Sequence, residues 1–186
     1  MAYIQLNNPN PGIGGLLADR PDIRVPLMQV AELLMSGSST LSGAEREMIA
    51  AYVSYLNDCR FCQNIHGATA ACHLDKDAKS ILDIIKSPAT AQVSDKLKAL
   101  FNIADKAQKN GKNVSENDIQ TARRYGATDA DIHDTVWITG FFCMINRCVD
   151  GLNTWSPQNI EDYLPVAKVM AEKGYRLEPE AYFTQG

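Results

Sequence analysis

Cys59, Cys62 and His66 stand in the order C-x-x-C-x-x-x-H, with Glu47 twelve residues ahead of the first cysteine. On a helix, residues three and four apart share a face. The two thiols and the imidazole therefore fall on one stripe. Cysteine reacts as its thiolate, which a helix N-terminus and a neighbouring base both favour. A carboxylate beside the base completes the set. Thiol, base and carboxylate are the parts of an activated cysteine nucleophile.

Whether the parts meet depends on the backbone between Glu47 and Cys62. Run as one straight helix, these two would lie roughly 22 Å apart at about 1.5 Å per residue, too far to cooperate. Asn57 suits a C-terminal cap and Asp58 an N-cap, so a break is expected at this point. In a helical hairpin Glu47 lies about as far before the turn as His66 lies after it. Both thiols then fall in the first turns of the second helix, near free backbone N–H groups and the positive end of its dipole.

The remaining elements follow from start and stop signals. Residues 1–23 are rich in Pro, Gly and Asn and read as an irregular arm. A first helix is expected from about Val25 to Met35, with Pro26 in its first turn. Ser42 followed by Glu45 is a capping-box pattern that opens the Glu47 helix. The cysteine helix should run from Cys59 to about Cys72, and Asp75 should cap a short helix through Ile85. Further helices are expected over Ser94–Gln108, from Ser115 to Tyr125, and from Thr128 or Asp129 to Asp150. A last one lies between Pro157 and Glu172, divided by Pro165. Residues 175–186 read as an extended tail. No segment alternates as a strand does. The expectation is one all-α domain over 24–174 with about eight helices. The apolar Asp129–Asp150 helix belongs in a core or an oligomer interface.

The 186 residues, 45% of them hydrophobic, suffice to bury a core without disulfide staples. A net charge of -4 argues against a nucleic-acid partner. No run approaches a membrane span, and the N-terminus has no signal-peptide pattern, so a cytoplasmic setting without a membrane partner is expected. There, C-x-x-C is more often redox or metal chemistry than a crosslink. Zinc wants four ligands and His66 supplies only a third. Cys72, ten residues beyond Cys62 on the same helix, would be roughly 15 Å away. Redox chemistry is therefore favoured over a metal site or inert core cysteines. Cys72, Cys143 and Cys148 read as small core residues. Asn146, Arg147 and Asp150 interrupt an apolar helix and read as structural pairs, since buried charge needs a partner. Gly14-Gly15 is no phosphate loop, because no G-K-[ST] follows.

E-x11-C-x2-C-x3-H, preceded by Leu41-Ser42-x-x-Glu45-Arg46 and followed by Met144-Ile145-Asn146-Arg147 and Asp150, resembles the alkylhydroperoxidase D-like branch of the carboxymuconolactone decarboxylase family. The sequence looks most like its peroxidase-related members, over roughly Val25 to Leu152. The resemblance implies an all-helical homo-oligomer, as dimer, trimer or hexamer. It implies reduction of hydroperoxides at the expense of a dithiol or protein thiol, with no cofactor and no metal. Cys62 would be the peroxidatic thiol and Cys59 the resolving one, with Glu47 and His66 as a proton relay. The best-known members carry another histidine immediately before the second cysteine, where this chain has Phe61. That departure leaves open a thiol–disulfide oxidoreductase or a redox-sensing binding protein on the same scaffold. A lactone decarboxylase is a weaker alternative, because those enzymes do not use the cysteine pair.

Overall fold

In the computed structural model, which describes residues 2–175, the chain is all-α. Among the described residues there are nine α-helices, two 3-10 turns and no strand. They are α1 Gly12–Ala18, α2 Pro21–Met35, α3 Gly43–Leu56, α4 Arg60–Leu74, α5 Ala78–Lys86, α6 Asp95–Lys109, α7 Glu116–Arg124, α8 Asp129–Gly151 and α9 Leu164–Lys173. The antiparallel pair α3–α4 forms the centre. Helices α5 and α9 pack on α4, while α6 and α8 pack on α3 and on each other. The core runs between them, with Ile49, Val53, Ile81, Leu100, Ile103 and Ile138 fully buried.

The starts follow local chemistry. Ser42 accepts from the Glu45 N–H, and the Glu45 carboxylate accepts from the Ser42 N–H, closing the expected capping box of α3. Ser115 with Asp118 and Thr128 with Asp131 do the same for α7 and α8. Asp118 does more than cap. It also accepts from Asn102 at 2.9 Å and Lys106 at 2.6 Å, tying α6 to α7. The Lys106 ammonium first, then Ser115, hold its carboxyl well below the usual carboxylate range. Asp118→Ala should therefore cost about 2 kcal/mol at neutral pH, from a lost cap and a lost charged hydrogen bond. A carboxylate with a lowered folded-state pKa stabilises above its unfolded value of about 4, and that contribution fades as pH falls through the folded value. Urea unfolding of both proteins at pH 7 and pH 3 checks this: the gap should narrow in acid.

Several local expectations are corrected. The arm is not irregular throughout: α1 lies within it, and α2 begins at Pro21 rather than Val25. Two prolines compete for the helix start. Pro21 takes the first turn and leaves Pro26 inside the helix. Asp77, not Asp75, caps α5, while Asp75 takes the left-handed conformation that ends α4. Pro165 divides its segment as expected, with a 3-10 turn at Ile160–Tyr163 before it and α9 from Leu164. The long helix α8 is not buried on all sides. Ile132, Ile138, Phe142, Ile145 and Val149 face the core, but Val136, Trp137 and Met144 are exposed, as is Cys148. The tail expectation from residue 176 onward lies outside the described residues.

Candidate functional site

The turn between α3 and α4 sets the site. Asn57 ends α3, and Asp58 follows in the left-handed region at φ 59°. The Asp58 N–H donates to Tyr55 O and the Cys59 N–H to Ser54 O, the double closure of a Schellman motif. Asp58 is thus the left-handed terminator of α3 and not the expected N-cap. Cys59 holds the N-cap position of α4, and Cys62 sits in its first turn. Two outside residues brace the turn. Asn57 donates to Asn146 of α8 at 2.8 Å and accepts from Gln108 of α6 at 2.8 Å. Asn146 also donates to the buried Ser54 hydroxyl, so its structural reading holds.

The four residues nominated from sequence are all buried: Glu47 is 1% exposed, Cys59 0%, Cys62 1% and His66 5%. Across the hairpin, Glu47 Oε2 lies 2.8 Å from His66 Nδ1. A carboxylate only accepts, so the Nδ1–H donates and the Nε2 edge of the ring is left over. Nε2 has no partner among the described residues. Phe142 of α8 stands edge-on to the imidazole, with centroids 4.4 Å apart.

Sequence reasoning missed Tyr175, just beyond α9. Its hydroxyl donates to Glu47 Oε1 at 2.7 Å and lies 3.1 Å from His66 Nδ1. Its own N–H donates to Glu32 Oε2 of α2 at 2.7 Å. The preceding Gly174 has φ +73°, and a Cβ there would meet Glu32 Oε2 at 2.5 Å and Ser36 Oγ at 2.7 Å. Only glycine lets this turn approach α2 so closely. Both carboxylate oxygens of Glu47 therefore have a donor, which is what a buried carboxylate requires.

The two sulfurs are not equivalent. The neighbouring Cys62 thiol, then burial, push the Cys59 thiol above its ordinary range. Asp150 is the acidic residue whose charge acts on Cys59. Its carboxyl is raised by desolvation, with Asp58 adding to the shift and the Cys59 contact opposing it. Cys62, not Cys59, lines a cavity of about 80 Å³. His66 and Tyr175 line the same cavity, whose other walls are apolar except for Arg24, with Leu27, Met28, Phe142 and Met170 among them. Phe61 also borders it, half under Gly12, where a Cβ would meet the ring at 2.2 Å. Cys72 and Cys143 are partly buried away from this cavity. Among the described residues, no group of three or more His, Cys, Asp and Glu is placed to hold a metal, and no helix is long and apolar enough to cross a membrane.

Residues 21–106 match the model of the carboxymuconolactone decarboxylase family. That stretch contains Glu47, Cys59, Cys62 and His66 but stops short of α8, α9 and Tyr175. Two solved structures are similar over most of their length. One is an uncharacterized peroxidase-related protein from Silicibacter sp. TM1040, at 29% identity, covering 79% of this chain and 76% of that one, TM-score 0.71. The other, described as an alkylhydroperoxidase AhpD core, is an uncharacterized peroxidase-related protein from Ralstonia eutropha JMP134, at 28% identity, covering 86% and 82%, TM-score 0.75. A protein of unknown function from Agrobacterium tumefaciens shares the fold, at 18% identity, covering 77% of this chain and 97% of that one, TM-score 0.66. No curated protein matches this sequence.

Proposed function

The chain belongs to the AhpD-like branch of the carboxymuconolactone decarboxylase family, and from that premise we propose that it reduces organic hydroperoxides through Cys62 and Cys59. The observation that carries the reading is the buried Glu47–His66 pair at 2.8 Å, whose His66 lines the same largely apolar cavity as Cys62. In the first step the Cys62 proton passes to His66 Nε2, and Glu47 stabilises the imidazolium. The thiolate attacks one oxygen of the peroxide, the O–O bond breaks, and the departing alkoxide takes the proton from Nε2 as alcohol. Cys62 is left as a sulfenic acid. Cys59 then attacks that sulfur, releasing water and forming a disulfide. A dithiol or protein thiol reduces it by exchange, returning two electrons and two protons. Apolar walls favour a substrate with a hydrocarbon body over hydrogen peroxide.

Stopped-flow measurement of free thiol after mixing reduced protein with cumene hydroperoxide tests this. Rapid loss of two thiols per chain is the expected result. Loss no faster than that of a simple peptide thiol rejects the peroxidase and turns attention to disulfide exchange on the same cysteines. Phe61 gives that second reading its support, because it fills the position of the extra relay histidine with a ring packed against Gly12 and Tyr163. Decarboxylation is disfavoured by the intact thiol pair.

We assign the exposed face shared by α2 and α8 to a homo-oligomer contact. Val30, Val136, Trp137 and Met144 are all exposed there, lining an apolar groove. Contiguous apolar surface of this kind marks an interaction site. Light scattering should give a mass that is a multiple of the chain's 20.5 kDa. A monomer at micromolar concentration would reject the assignment.

A further inference from the structure

We propose that Tyr175 is the third member of the relay, a positioning residue that holds Glu47 so that His66 presents Nε2 as the base. This deepens the reading of Cys62 as the reactive thiol and rests on it. Position 61, where the best-known relatives carry their extra histidine, here holds a phenylalanine given over to packing. The third hydrogen-bonding group comes instead from the other end of the chain, outside the segment matched by the family model.

The geometry specifies the role. Glu47 Oε2 takes the His66 Nδ1–H at 2.8 Å, and Oε1 takes the Tyr175 hydroxyl at 2.7 Å. The phenol cannot be the base that receives the Cys62 proton, because its hydrogen is already committed to a carboxylate. Its contribution is to satisfy the second oxygen. Without it, a carboxylate that is almost fully buried carries an unfilled acceptor and is favoured in its protonated form. A protonated Glu47 cannot stabilise the imidazolium, and Cys62 then keeps its proton to higher pH. The phenol ring also lies nearly parallel to the imidazole, at 8° with centroids 6.2 Å apart, so it limits ring tilt. The phenol is aimed by the Gly174 turn and by the Tyr175 N–H to Glu32 contact, both independent of the site.

The test is the pH dependence of Cys62 alkylation by iodoacetamide, read by mass spectrometry on reduced protein. Tyr175→Phe removes only the hydroxyl and keeps the ring. Its alkylation midpoint should move up by about one pH unit, with a roughly tenfold slower reaction at neutral pH, since the thiolate fraction sets the rate. Tyr175→Phe in a Glu47→Gln background should move the profile no further than Glu47→Gln alone, because the hydroxyl acts through that carboxylate. Circular dichroism of each variant checks that it is folded. An unmoved profile for Tyr175→Phe, or a shift that adds fully to that of Glu47→Gln, overturns the proposal. Alkylation consumes no peroxide, so a shifted profile in a protein that fails the cumene hydroperoxide assay keeps the relay and rejects only the peroxidase.

Discussion

Cys62→Ser protein should leave cumene hydroperoxide essentially untouched, with the rate down by a factor on the order of 10³ or more, because a serine hydroxyl is almost never ionised at neutral pH. Cys59→Ser should behave differently. It should react once, at a rate near that of the unaltered protein, and stop as a Cys62 sulfenic acid that dimedone captures. The asymmetry comes from placement. Cys62 lines the cavity, whereas Cys59 sits at the N-cap of α4 and is not part of the lining. Two measurements decide it: stopped-flow peroxide consumption and mass spectrometry of the dimedone adduct. An adduct on Cys59 in Cys62→Ser, formed at an undiminished rate, would reverse the two roles.

The second large effect is expected at Glu47. Glu47→Gln should lower the peroxide rate about 100-fold, within the usual span for loss of acid–base support, yet leave the protein nearly as stable. The amide still accepts the His66 Nδ1–H through its oxygen, and its NH2 can donate to the Tyr175 hydroxyl. What it lacks is the negative charge that stabilises an imidazolium. Glu47→Ala should instead cost about 3 kcal/mol of folding stability, because it strands two buried donors and opens a cavity. Urea midpoints and single-turnover rates, read side by side, separate the two variants. A Glu47→Gln protein with an unchanged rate would reduce the buried pair to a structural role.

The half of the site that could be read from sequence is the half built by local rules. Glu47 and His66 were legible together because a capping box fixes where α3 begins and the Asn57-Asp58 step forces a reversal. Helical spacing does the rest. Asp58 was misread because Asp suits both an N-cap and a left-handed C-terminal position, and only the surrounding hydrogen bonds decide between them. Helix α1 was missed because a Gly-Pro-Asn composition hides a helix held by its packing on Phe61 and α2, not by propensity. Tyr175 was out of reach for another reason. Its partner is 128 residues away, and nothing periodic surrounds it. Helix α8 was expected in a core or an oligomer interface, and sequence could not divide its faces between the two, because burial on one chain and burial in an assembly leave the same pattern of residues. On this chain one face is buried and the face with Val136, Trp137 and Met144 is open.

The fold places the thiol pair on α4 and the last hydroxyl of its network after α9. A chain is made from its N-terminus, so the cysteines are synthesised long before Tyr175 exists. The α3–α4 hairpin can therefore assemble as a pair of ordinary thiols, with a carboxylate and an imidazole beside them but no phenol. Docking of the Gly174-Tyr175 turn onto Glu32 can come only after α9 has been made. On the role proposed for Tyr175, order of manufacture thus acts as a safety catch, withholding the third hydrogen-bonding group from the thiol pair until α9 stands beside it.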